Sequence, residues 1–221
     1  MSGVALAMLG AVSQGVLWGL MVLGVYITYK ILDIADLTVD GSFALGGCVC
    51  AAMIANKGMN PILAILIALL AGLAAGAVTG FLHTVFDIPA ILSGILTQIA
   101  LYSINLNIMD RHANQALSID KYDLIISSRQ LNHAIIVGIV FAIVLIALLY
   151  WYFGTEQGSA IRATGCNPAM SKAQGINIDT MKLIGLALSN GIVALSGGLL
   201  SQFAQPEGEQ QSSCAPVSTM V

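Results

Sequence analysis

The chain has 221 residues, 57% of them hydrophobic and only 9% charged, with a formal net charge of -3. Its mean hydropathy is +0.89. Soluble domains carry about a quarter charged residues, so this composition excludes a soluble globular protein and specifies an all-α polytopic membrane protein. The first charge along the chain is Lys30, so the basic leading region of a signal peptide is missing and the first apolar stretch is read as a retained span.

About six spans are expected. The first covers roughly 4–29, where Gly15 and Gly19 are four apart and predict a smooth stripe for close helix packing. Gln14 is its polar exception. The acidic segment KILDIADLTVDGSF follows, with Asp33, Asp36 and Asp40. It is either a solvated loop with Asp40 capping the next helix or a broken helix at a cavity mouth. Span two, 41–55, is short against the roughly 17–25 residues a crossing needs, so it is either tilted, re-entrant or extended backward through the acidic segment. A turn over 56–61 leads into span three, 62–81. There Gly72, Gly76 and Gly80 form a ladder that predicts close helix packing, and His83 follows at the membrane edge.

Span four starts after Asp87 at Ile88–Pro89, where proline suits a helix start, and runs to about residue 106. Ser93, Thr97, Gln98 and Tyr102 fall near one helical face, with Asn105 beyond. A polar stripe in an apolar helix faces protein or water, so Ser93, Thr97, Gln98 and Tyr102, with Asp36 and Asp40, are the candidate substrate path; the alternative is polar glue between helices. In the loop 107–133, Arg111, Lys121 and Arg129 balance Asp110, Asp120 and Asp123, which suits an external loop. Span five, 134–153, is dominated by Ile, Leu, Val and Phe, each contributing about -0.3 to -0.6 kcal/mol to insertion. It ends in the aromatic belt Tyr150-Trp151-Tyr152.

A polar island, TEQGSAIRATGCNPAMSKAQGINIDT, occupies 155–180. Gly158, Gly165, Pro168 and Gly175 are expected to break it into short pieces, with helical turns over 159–164 and 169–174. Arg162, Lys172 and Lys182 put positive charge beside span ends, which marks the cytoplasmic side. Single cysteines at Ser118 and Ser171 would then report the two sides of the membrane. Span six, 181–200, is rich in small residues, and its Ser189-Asn190-Gly191 echoes Ser13-Gln14-Gly15. The last stretch, 205–221, is abruptly polar and is read as a disordered tail after a transmembrane domain of residues 1–204.

No P-loop, HExxH or GxSxG motif occurs, and Cys48, Cys50, Cys166 and Cys214 show no zinc spacing, so no metal site or disulfide framework is expected. Cys48 and Cys50 fall in an apolar run and read as small fillers. Any work done by this chain is therefore powered elsewhere or is passive.

The island EQGSAIRATGCNPAMSKAQGINI, followed by LALSNGIVALSGGLLSQ, resembles the cytoplasmic signature of bacterial ABC importer permeases of the branched-chain amino acid and ribose type. Within that group it is most similar to permeases assigned to amino acids, aromatic ones included. The opening ILDIADLTVDGSFALGG resembles theirs too, and the likeness covers most of 4–205. It implies a coupling helix region over 158–175 that docks in a groove of an ATPase subunit, with Glu156, Gly158, Arg162, Gly165, Asn167, Pro168 and Gly175 as its residues. It also implies a homodimeric inner-membrane permease, a substrate-binding protein outside and ATP-Mg held by the partner alone. No cofactor is expected on this chain, and its partners are protein and membrane lipid, not nucleic acid. Members of the family are usually longer, so the C-terminal part of the family fold is expected to be missing. An ion-gradient-driven carrier or channel, or a non-transporting remnant, is the alternative.

Overall fold

The computed structural model describes residues 3–109 and 131–202. Among the described residues every regular element is helical. The order is α1 (Gly3–Tyr26), continued by a π-helical turn (Ile27–Ile31), then α2 (Thr38–Lys57), α3 (Pro61–Val85), α4 (Ala90–Ile108), α5 (Leu131–Phe153), the short α6 (Glu156–Cys166) and α7 (Pro168–Ala173), and α8 (Ile178–Gln202). Among the described residues five helices are long and apolar enough to cross a membrane, and α2 adds a shorter apolar stretch, Thr38–Ile54. The loop 110–130 and the tail 203–221 lie outside the described residues.

The helix ends follow from local chemistry. Asp36 accepts the Thr38 N–H at 2.8 Å and so starts α2. Asp40 does not cap this helix; it lies exposed within the first turn. Because the helix nucleates at Thr38, before Gly41, α2 has 20 residues and extends about 30 Å. Gly58, at φ 57, closes it in the left-handed conformation that a side chain disfavours, and Pro61 opens α3. Asn177 accepts the Thr180 N–H at 3.3 Å and starts α8.

The bundle is built around α8. Every residue from Ser189 to Leu199 is buried, because glycine, alanine and serine let neighbouring backbones approach. Helix α3 runs antiparallel along it. A Cβ on Gly72 would meet the Ala194 side chain, on Gly76 the Leu186 carbonyl, and on Gly80 Leu183. Helix α2 runs parallel to α8: Ser42 pairs with Asn190, Gly46 abuts Ala194, and Gln202 donates to Cys50 Sγ at 3.3 Å. Helix α1 is antiparallel, with Ser196 donating to the Leu17 carbonyl and Ser189 to that of Gly24.

The packing stripe of α1 differs from the one expected. Leu17, Leu20, Gly24 and Ile27 face the core, whereas Gly15 and Gly19 have nothing within 4 Å. The large apolar residues claim the inner face and rotate those two glycines outward. Gln14 and Gly15 are exposed while Asn190 and Gly191 are buried, so the two echoing triplets sit in unlike surroundings. Further out, α4 lies along α2, where Gly41 abuts Gln98 and Cys48 meets Met109, and Gly138 of α5 meets Val16 of α1.

Successive spans therefore alternate in direction. The 32–37 break, the 86–89 turn and the island share one end of the bundle. Gly58 and the described flanks of the 110–130 loop lie at the other.

Candidate functional site

Two features stand out on the island side of the bundle: a buried polar cluster that reaches the middle of α8, and the α6–α7 surface at the end. The cluster is centred on Asn190, which is fully buried and stands midway along α8, about 18 Å from either end. Its Oδ1 accepts from Ser42 Oγ at 2.7 Å. Its Nδ2 donates to Asp36 Oδ2 at 2.7 Å and to the Leu186 carbonyl at 3.0 Å. The other carboxylate oxygen of Asp36 holds the Thr38 N–H. Thr38 and Thr79 hydroxyls pair at 3.0 Å, and Thr79 donates to the Ala75 carbonyl. Four elements, the break, α2, α3 and α8, are thus joined by polar groups that satisfy one another. The half-buried Asp36 charge is met by dipoles: an amide, a backbone N–H and the N-terminus of α2. Irregular backbone at this depth is tolerated because it is enclosed by protein.

The α4 stripe divides. Ser93 and Thr97 are buried and donate to carbonyls of their own helix, Ala90 and Ser93. Gln98 is half-buried beside Gly41. Tyr102 is 51% exposed and leaves this face, because the i, i+4 row from Ser93 continues through Leu101 and Asn105, not through position 102. Gly94, one residue from Ser93, abuts Leu37 N and Asp36 Oδ1, so α4 touches the break directly.

The island folds as two helices. Thr155 Oγ1 accepts the Gly158 N–H and starts α6, while Asn167 Oδ1 accepts the Met170 N–H and starts α7 beside Pro168. Gly158 and Gly165 do not break the segment as expected; both lie inside α6. They are packing residues instead. A Cβ on Gly158 would overlap Phe153 and Tyr152 at the end of α5, and one on Gly165 would overlap the Ile31 carbonyl oxygen. With Ile161 fully buried between them, they form the inner face of α6. The break falls at Asn167, and Gly175, at φ 82, ends the pair.

Glu156, Gln157, Arg162 and Cys166 face outward on α6. Arg162 Nη2 donates to the Phe153 carbonyl, capping α5. Lys172 is exposed on α7 and Met170 is 61% exposed, whereas Ser171 is 2% exposed and is no place for a surface label. Ser118 lies outside the described residues. His83 joins this end together: its Nδ1 is 2.8 Å from the Ile88 carbonyl and its Nε2 is 3.5 Å from Lys182 Nζ.

Residues 7–213 match the family described as branched-chain amino acid transport system / permease component. The chain belongs to that family. It is 40% identical over 203 residues to a tyrosine transport system permease protein of Clostridioides difficile, covering 92% of this chain and 65% of that protein. It is 31% identical to an uncharacterized protein of Rickettsia prowazekii, covering 87% of this chain and 66% of that protein. A ribose import permease protein of Haemophilus influenzae is 27% identical, with 80% of this chain and 55% of that protein covered. The chain thus spans 65%, 66% and 55% of these relatives. No solved structure matches. The fold agrees with that family in being a multi-pass helical membrane protein.

Asn190 is what the sequence reading missed. Its signal was a polar residue between small ones in the centre of an apolar run, which marks a residue facing protein.

Proposed function

We propose that the chain is the permease subunit of an ATP-driven importer in the bacterial inner membrane, moving a small solute, an amino acid, by alternating access. The observation that carries this is the two-sided α6: its inner face of Gly158, Ile161 and Gly165 is seated on the bundle, while Glu156, Arg162 and Cys166 are left for a partner. A connector has no need of a helix with a fitted inner face and a charged outer one. With α7 it offers Arg162 and Lys172 to partner carboxylates and Met170 to an apolar notch. The partner is an ATPase subunit holding ATP-Mg. A substrate-binding protein sits on the opposite side, and the permease acts as a homodimer. The relatives named for tyrosine and ribose transport support a solute importer, and the first supports an amino acid. The solute's path runs past Asp36, Asp40, Ser93, Thr97 and Gln98, with Tyr102 on a separate face. The test is isolation of the chain from its native membranes. An ATPase subunit is expected to co-purify, and Arg162→Glu is expected to lose it. Recovery of no ATPase from the wild-type chain sinks this reading.

Asp36 favours a second reading. A carboxylate beside the midpoint of a spanning helix is the kind of group an ion-coupled carrier needs. Uptake that survives ATP depletion and collapses with a protonophore would select it.

A further inference from the structure

We propose that the backbone contact between Gly165 and Ile31 is where α6 drives the break between α1 and α2, with Leu32 carrying the movement to α8. This rests on the reading of α6–α7 as the seat of an ATPase. Gly165 lies against the Ile31 carbonyl and within van der Waals range of Leu32 Cα, with no side chain between them. A side-chain contact absorbs displacement by changing rotamer; a backbone-on-backbone contact passes it on.

What lies behind the contact is built to move between discrete states. Ile27–Ile31 form a π-helical turn. Leu32 N–H closes its widened loop on the Ile27 carbonyl, and Ile34 N–H, beyond the turn, reaches back to the Thr28 carbonyl, both at 3.1 Å. A π turn recovers α-helical register by slipping one residue, which is a step and not a continuous bend. Leu32 is buried and keyed into α8 at Gly185, where a Cβ would come within 2.6 Å of Leu32 Cδ1. Four residues on, Asp36 is bonded to Asn190 and to the first turn of α2. A shift at Ile31 therefore moves Leu32 in its notch and displaces Asp36 from Asn190.

The other end of α6 is anchored. Gly158 sits against Phe153, and Arg162 holds the Phe153 carbonyl. Gly158 and Gly165 lie about 10.5 Å apart along the helix. So α6 has a fulcrum at the end of α5, an exposed face for the load, and an output at Ile31.

Full-length chain carrying Cys166→Ser, Cys214→Ser and a reporter, Asp40→Cys at an exposed position one turn past Asp36, is labelled with maleimide in native membranes. Gly165→Ala, which must lift α6 off Ile31, is expected to change the labelling rate by about fivefold or more. Leu32→Ala, which empties the Gly185 notch without any clash, is expected to change it in the same range. Gly15→Ala, in open space, serves as the control. Rates unchanged in both test variants overturn the link, whether or not an ATPase binds. In the assembled complex, Gly165→Ala is expected to keep ATP hydrolysis while uptake of radiolabelled tyrosine falls about tenfold or more. Loss of hydrolysis together with uptake would make the contact one of assembly and overturn the proposal. A wild-type chain that recovers no ATPase would sink the importer reading, and the labelling arm would still decide the link.

Discussion

Asn190 donates to the Asp36 carboxylate at 2.7 Å, joining residues 154 positions apart. The bond ties the centre of α8 to the one irregular stretch between α1 and α2. Because Asn190 also accepts from Ser42 and donates to Leu186, each of its hydrogen-bonding atoms is used. A buried network of this kind is costly to leave half-satisfied.

The pair is open to reversal. Asn190→Asp would set two carboxylates against each other and is expected to destabilise the chain by about 3 kcal/mol. Asp36→Asn combined with Asn190→Asp restores one amide and one carboxylate, and the amide oxygen gained at position 36 would still accept the Thr38 N–H. The double variant is expected to regain more than half of the loss. Thermal unfolding of the four proteins in detergent measures this, and an additive double variant would deny the coupling.

Glycines on two helices should respond oppositely. Gly76→Ala puts a methyl into the Leu186 carbonyl and is expected to cost about 1–3 kcal/mol. Gly19→Ala meets nothing within 4 Å and is expected to stay within about 0.5 kcal/mol. Equal losses in an SDS unfolding titration would mean that Gly76 is no more a packing position than Gly19.

Topology can be read from a native thiol. Cys166 is exposed on α6, while Cys48 and Cys50 are buried. With Cys214→Ser, an impermeant maleimide is expected to label inverted vesicles and not whole cells. Labelling of whole cells would put the island outside, where no ATP-driven partner reaches it.

Arg162 has two roles that separate by substitution. Arg162→Ala removes its bond to the Phe153 carbonyl and is expected to cost only about 1 kcal/mol of thermal stability. Arg162→Glu loses the same bond and is expected to cost about the same, by the same measurement, but also to abolish recovery of an ATPase. If both variants keep the ATPase, the outward guanidinium plays no part in docking.

The sequence by itself determined the class, the long apolar spans and the family, but not whether 41–55 crosses. These depend on quantities summed along the chain: apolar run length, charge sparsity and the spacing of small residues. It also marked Gly72, Gly76 and Gly80 as packing positions, because a ladder at steps of four must share one helical face. It left open which face each helix turns inward. Gly15 and Gly19 carry the same spacing yet point outward, because Leu17 and Leu20 compete for the core and win by their larger apolar area. The role of a glycine within the island was equally out of reach. Gly165 reads as a helix breaker in sequence, and only the approach of Ile31 across the fold makes it a contact. The same holds for Asn190, Ser42, Thr79 and Asp36. Their hydrogen bonds join distant segments, and directional bonds between such segments are decided by tertiary structure alone.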